Sequence, residues 1–319
     1  MTAPATTAPP SPPAARPARG GAARRRSLGA LLALPTAAWI IVFFVIPVAF
    51  VLWYSFGRKP SVFGTHSNDV FTFDRYGEAL TGSNAAVLWN SVGIALLGTL
   101  VCLIVAMPFA YWLALKSNPS RRGLYVALVM VPFWTNLLVR TIGWQIILAP
   151  EGWLSKLLQG IGLSNGPLSL LNTREAVIIG VVYNYLPMMI LPLFVAFDRV
   201  AGPLREASAD LGANRVTTFL RVTLPLAWPG ILVGILLVFI PLMGDYVTPT
   251  VLGGAQGMMI GQLVASQFQT AQNWALGSAM AALVIIVVLV IAGIIWAITR
   301  LVALPFQRHW KLELGEAAK

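Results

Sequence analysis

Very little in this chain could carry out covalent chemistry. Its 319 residues include one cysteine, Cys102, and two histidines, His66 and His309. A single thiol closes no internal disulfide and builds no cysteine metal cluster. Cys102 lies inside an apolar run, whereas both histidines fall outside the apolar segments and are expected to face solvent in loops. A zinc site or a Ser–His nucleophile within the spans has no material, so no catalytic residue and no metal ligand set is assigned. What remains is a loop of mixed charge, residues 198–225, and two charges set in apolar surroundings, Arg140 and Asp245. Ionisable groups within spans are costly; they usually face a bundle interior, paired or lining a water path.

The elements that must position these groups follow from composition. Of all residues 57% are hydrophobic and 10% charged, against about 45–50% and about 25% in soluble domains. A soluble fold has too little interior for that surplus, so the chain is expected to be an all-α integral membrane protein. A spanning helix needs about 20 mostly apolar residues. Six segments qualify: Leu28–Phe56, Ala85–Leu115, Leu124–Ala149, Ala176–Phe197, Leu226–Leu252 and Leu276–Leu304. Prolines recur inside them (Pro47, Pro108, Pro132, Pro187, Pro192, Pro241), tolerated in a bundle where neighbours satisfy the freed carbonyls. Gly93, Gly98, Gly234 and Gly293 are read as points of close helix approach.

Charge then sets the orientation. The net charge is +11, from 22 Lys and Arg against 11 Asp and Glu. With the amino terminus inside, sixteen of the 22 basic residues fall in cytoplasmic segments and five in outer loops, with Arg140 in the third span. This follows the positive-inside rule, so the excess charge is a topology signal and nucleic acid is not an expected partner. Both termini are placed in the cytoplasm. Residues 1–27, rich in Pro, Ala and Arg, read as a disordered cytoplasmic tail; the apolar stretch that follows is too long for a secretory signal. Residues 28–305 form the six-span domain and 306–319 a cytoplasmic tail.

The longest cytoplasmic connection, Asp198–Pro225, carries the clearest pattern. Pro203 suits the first turn of a helix and Gly212 its end. Between them Leu204, Ala207, Ser208 and Leu211 share one face. A second short helix can begin at Asn214, with Val216, Phe219, Leu220 and Thr223 on one face, ended by Leu224-Pro225, which start the fifth span. Helices this short are marginal alone and need a groove for their apolar faces. Burying Phe219 or Leu211 in a partner would contribute on the order of 1.5–3 kcal/mol each, and Glu206 and Asp210 could pair with its basic residues. The alternative is a loop lying on the membrane or on its own helices.

The run Glu206-Ala207-Ser208, three residues, Gly212, nine residues, Val222-x-Leu224-Pro225 resembles the EAA motif of ABC importer permeases, departing at Ser208 for Ala and Val222 for Ile. The resemblance covers about residues 28–305 and implies the type I ABC importer permease fold. It further implies a second permease subunit, an ATPase dimer whose clefts receive the EAA loops, and an extracytoplasmic substrate-binding protein. No Walker A pattern (GxxxxGK[ST]) occurs in the chain, so no cofactor is assigned here; ATP and Mg²⁺ belong to the partner ATPase. Three stretches resemble the spermidine/putrescine branch: Val131–Thr141, Tyr185–Leu193, and Gly244–Gly254 followed by Met259-Ile-Gly and Asn273-Trp. The first outer loop is also similar, in Phe71–Tyr76. The resemblance implies a polyamine permease of a bacterial inner membrane, with an opine, phosphonate, thiamine, sulfate or ferric iron as alternative cargo.

Arg140 lies 16 residues beyond Leu124, and Asp245 lies 16 beyond Pro229. At about 1.5 Å per residue both reach about 24 Å from the inner face. The preferred reading is a structural Arg140–Asp245 ion pair orienting two helices; the alternative makes Asp245 a contact for a cationic substrate or part of a gate. Trp134, Tyr183, Tyr185 and Tyr246 could wall a cation path through cation–π contact, although aromatic residues in spans are also common interface anchors. A membrane enzyme would need a nucleophile–base or metal constellation within the spans, where this chain has no histidine, and a secondary transporter would need several coupling carboxylates there and has no use for an EAA-like loop.

Overall fold

The computed structural model describes residues 34–200 and 202–316, with side chains as far as Ile298. The expected amino-terminal tail, residues 1–27, lies outside the described residues. Two units divide the chain at Phe50 and Val51. The described residues are helical apart from loops and one isolated antiparallel bridge, Arg58 with Ser67. Helix α1 covers Leu34–Tyr54, α2 Asp74–Ala79, α3 Gly82–Leu115, α4 Arg122–Phe133, α5 Leu137–Leu148, α6 Trp153–Gly160 and α7 Arg174–Asp198. They continue as α8 Gly202–Asp210, α9 Arg215–Met243, α10 Val247–Leu252, α11 Ile260–Gln269 and α12 Trp274–Glu316. Five are long and apolar enough to cross a bilayer: α1, α3, α7, α9 and the Trp274–Ile298 part of α12. The segments Pro119–Phe133 and Leu137–Gly160, which contain α4 and α5 and meet at 80°, pass the same length and composition test only when taken together, which makes them a sixth candidate.

Helices α3, α7 and α9 form the core. Between 39% and 44% of their most apolar windows is buried, against 6% for α12, so the first three face protein and the last faces its surroundings. Helix α7 packs along both α3 and α9. Phe197, Phe239, Met189, Leu193, Leu242 and Met243 are fully buried there. In a bilayer such packing rests on close fit more than on a hydrophobic drive. A Cβ on Gly98 would stand 3.1 Å from Val181 and 3.2 Å from Leu242, and one on Gly234 would press Leu193 at 2.8 Å. Gly293, expected to act the same way, has nothing within 4 Å.

Three expected boundaries differ. The third span breaks after Pro132, where the Pro132 carbonyl accepts from both the Thr135 amide and its hydroxyl; Asn136 then caps α5 by accepting from the Leu138 amide at 2.8 Å. A proline beside a good N-cap offers the chain a new helix start. The fifth span starts earlier and ends earlier than expected. Instead of stopping at Leu224-Pro225, α9 runs through them, because a π turn over Phe219–Thr223 absorbs the backbone bond that Pro225 cannot make. It ends at Gly244, and α10 is a separate helix. Helix α12 continues to Glu316, past the expected end of the sixth span at Leu304; Gln, Arg, Lys, Leu and Glu in that stretch are good helix formers.

The segment joining α1 to α3 is tied to the start of α12. Lys59 Nζ donates to the Ala271 carbonyl at 2.7 Å, and the Trp274 amide donates to the Thr65 carbonyl. His66, expected to face solvent, is partly buried instead. Its ring lies 4.2 Å from that of Tyr54 and packs over Gly57, where a Cβ would meet His66 Cε1 at 2.2 Å. His309 lies beyond the described side chains. Burial pushes the His66 imidazole below its ordinary value, partly offset by the Asn68 side chain. The unfolded chain then binds the proton more readily, so this packing contributes its full stability above about pH 6.5 and loses it as pH falls below. Thermal unfolding at pH 7.5 and 5.5 should show a destabilisation on acidification that His66→Gln reduces.

Candidate functional site: an exposed two-helix loop and a polar seam

The loop between α7 and α9 is built as two short helices meeting at a left-handed turn. Gly212, at φ 83°, closes α8 in a conformation that costs glycine little. Asn214 Oδ1 accepts from the Thr217 amide at 2.8 Å and opens α9. The hydroxyls of Ser208 and Thr218 meet at 3.0 Å and hold α8 against the first turn of α9. Ser208, the departure from an EAA pattern, thus supplies a bond that alanine would lack. At the entrance Arg122 donates to Asp198 at 2.7 Å, a half-exposed pair worth about 0–1 kcal/mol.

The outer face of this loop is open. Glu206, Ala207 and Asp210 are exposed, as is Leu204, and Leu211 is 89% exposed. A leucine so exposed at a helix end is an apolar group awaiting cover. Phe219, expected to dock outward, turns inward: its ring lies 5.3 Å from Tyr111, edge-on, and 6.3 Å from Phe197. The π turn that begins at Phe219 accompanies this placement. Leu224 and Pro225 are half-buried within α9.

The second feature lies where α5, α7 and α10 meet. Asp245 is 5% exposed, in the break between α9 and α10. Its Oδ1 accepts from the amides of Val247 and Thr248 at 3.0 and 3.2 Å, and its Oδ2 accepts from the Thr248 hydroxyl at 2.6 Å. The Tyr185 side chain, on α7, stands beside this carboxylate. Charge-assisted bonds to a helix start are what a buried carboxylate needs. Arg140 does not pair with it. Its guanidinium lies 5.7 Å over the Phe133 ring and reaches the Asn184 carbonyl at 3.5 Å, while the ion pairs of the described residues are Arg75–Glu78 and Arg122–Asp198. Counting 1.5 Å per residue placed both charges at one depth, but the 80° bend lies between Leu124 and Arg140 and removes the premise.

Tyr185 lies within electrostatic reach of both Asp245 and Arg140. Trp134 stands at the bend and is 78% exposed, and Tyr246 at the start of α10 is 52% exposed. Tyr183 faces Trp144 at 5.6 Å. Sequence reasoning missed Thr141, Asn184 and Thr248, each buried. Asn184 Nδ2 donates to Thr141 Oγ1 at 3.2 Å, while its Oδ1 and the Arg140 Nε are buried without a partner. An asparagine in the middle of an apolar span was the available signal.

Gly261, in the first turn of α11, fixes how closely that helix approaches the break. A Cβ there would lie 2.7 Å from the Gly244 carbonyl oxygen and 2.8 Å from that of Asp245. Both are backbone atoms and cannot swing aside. Gly261→Ala should therefore cost about 1–3 kcal/mol and lower the melting temperature of the purified protein, whereas Gly143→Ala, with nothing within 4 Å, should not.

Among known proteins, the family of binding-protein-dependent transport system inner membrane components matches residues 106–303. The chain belongs to this family. The matched region takes in the bent third span, the exposed loop, the polar seam and most of α12. Two spermidine/putrescine transport system permease proteins, both PotB, are similar to this family member. That of Haemophilus influenzae is 41% identical over 244 residues, 76% of this chain and 84% of that protein. That of Escherichia coli is 36% identical over 263 residues, 82% and 94%. The fold is shared with a bacterial ABC transporter involved in the import of alginate, at a TM-score of 0.68 and 17% identity over 87% of this chain and 96% of that one.

Proposed function

We propose that this family member is a permease subunit of an ATP-driven ABC importer for polyamines, spermidine and putrescine. The observation that carries the reading is the loop itself: an EAA-like run on a two-helix element whose outer face holds exposed Leu211, Glu206 and Asp210. The 41% identity to a spermidine/putrescine permease supports the cargo. In this reading the loop docks into a cleft of a separate ATPase subunit, which holds ATP and Mg²⁺. Leu211 supplies the apolar anchor, Glu206 and Asp210 the charge, and inward-facing Phe219 ties the docked element to α3 and α7. Because α9 continues unbroken from the loop to Gly244, a push on its first turn travels along the helix to the break at Asp245. Arg140, Tyr185 and Tyr246, with Asn184 and Trp134, are the proposed flanks of the path.

The same reading places the described helices as one six-span domain in a bacterial inner membrane, with both termini and the loop in the cytoplasm. A second permease subunit and an outer binding protein complete the assembly. The basic-residue asymmetry supports that orientation. Uptake of labelled spermidine and putrescine, measured with and without this gene, tests the cargo. Loss of uptake without the gene is expected. Unchanged uptake in cells with no other polyamine importer would move the cargo to an opine, phosphonate, thiamine, sulfate or ferric iron.

A further inference from the structure

An open groove of about 350 Å³ lies between the end of α3 and the start of α9. Lys116 and Arg215 line it together with Tyr111 and Phe219, and Met107 and Pro108 line it further inside α3. Lys116 caps the end of α3, with its ammonium 6.0 Å over the Tyr111 ring. Both cations are exposed, and neither meets a carboxylate among the described residues. Met107 lies nine residues inside Lys116, about 13 Å along the helix. Along α3 the lining therefore changes from basic at the helix end to apolar about two and a half turns further in. Ile104, Pro108 and Trp112, at i, i+4 and i+8, give α3 an exposed apolar face beside the groove.

We propose that this groove binds one anionic phospholipid, its phosphate held by Lys116 and Arg215 and one acyl chain laid along Met107 and Pro108. Basic pockets between spans at a membrane interface are suited to such headgroups. Charge complementarity selects the occupant. The chain's own residues 1–33 carry five arginines and no acid, so they would be repelled. A soluble partner could cover Arg215 but could not reach Met107 within the hydrocarbon. Because Arg215 opens the helix that carries the exposed loop, a bound lipid would brace that loop against α3. The inference rests on membrane placement alone and is independent of the cargo and coupling readings.

The test is native mass spectrometry of the full-length chain in mild detergent, titrated with dioleoyl phosphatidylglycerol or dioleoyl phosphatidylcholine. The wild type should retain phosphatidylglycerol more strongly, and Lys116→Gln with Arg215→Gln should remove that preference. Each cation near an anionic headgroup contributes about fivefold, so the pair should change retention by about twenty-fivefold. Met107→Trp, which fills the apolar end and keeps both charges, should lower retention of both lipids. Equal retention of the two lipids by the wild type would overturn the proposal, as would an unchanged preference in the double variant. Inorganic phosphate that displaces phosphatidylglycerol at equal concentration would reduce the groove to a simple anion site and overturn it too. Loss of the lipid on assembly with the ATPase would give the groove to that partner instead.

Discussion

Replacing Asp245 with alanine should reduce uptake to background, while Asp245→Asn should keep a measurable part of it. The alanine variant leaves the Val247 and Thr248 amides and the Thr248 hydroxyl without their acceptor in a site that is 5% exposed. Each buried group left unpaired costs about 1–3 kcal/mol, enough to let α10 unwind or drift from α5 and α7. Asparagine retains one carbonyl oxygen and with it the bonds from the two amides. The exchange of Asp245→Arg with Arg140→Asp should stay inactive, because the carboxylate serves the start of α10 and an arginine there offers only donors to donors. Transport assays of the three variants at matched membrane levels check this. Recovery in the exchanged pair would restore the ion pair that the geometry excludes.

The second large effect is expected at Glu206. It is exposed on α8 and contributes to no ion pair among the described residues, so Glu206→Lys should leave folding and membrane insertion unchanged. A reversed charge at a docking surface typically weakens association by several kcal/mol when it faces a partner's like charge. Uptake should fall to background while the melting temperature of the purified permease stays within a degree or two. Ser208→Ala should have the opposite profile, a small loss of local order at α8 with the docking charge intact.

These two sites differ in how far they could be read from residues alone. The loop was legible because its signals are local: Pro203, Gly212 and Asn214 each act on their own backbone, and all three stand where the spacing put them. The direction of Phe219 was not legible, since its alternatives, outward or onto Tyr111, depend on a helix that is more than a hundred residues away. The seam failed for a related reason. An apolar run looks like one straight span whether or not it contains a break, so Trp134–Asn136 and Gly244–Tyr246 read as continuous helix. Asp245 reads as a costly charge, yet its partners are two amides and a hydroxyl no more than three residues away, which any count of opposite charges overlooks. In the sequence Gly261 is only part of a family-like stretch; the need for glycine there appears once α11 lies against the Gly244 and Asp245 carbonyls.

Coupling through the exposed loop is tested most directly by uptake of labelled spermidine in cells lacking the natural copy of this gene, supplied with either the intact chain or Glu206→Lys at equal membrane abundance. Restoration by the intact chain and background uptake with Glu206→Lys is the expected result. Full restoration by Glu206→Lys would contradict the assignment of this loop as the link between the ATPase and the spans.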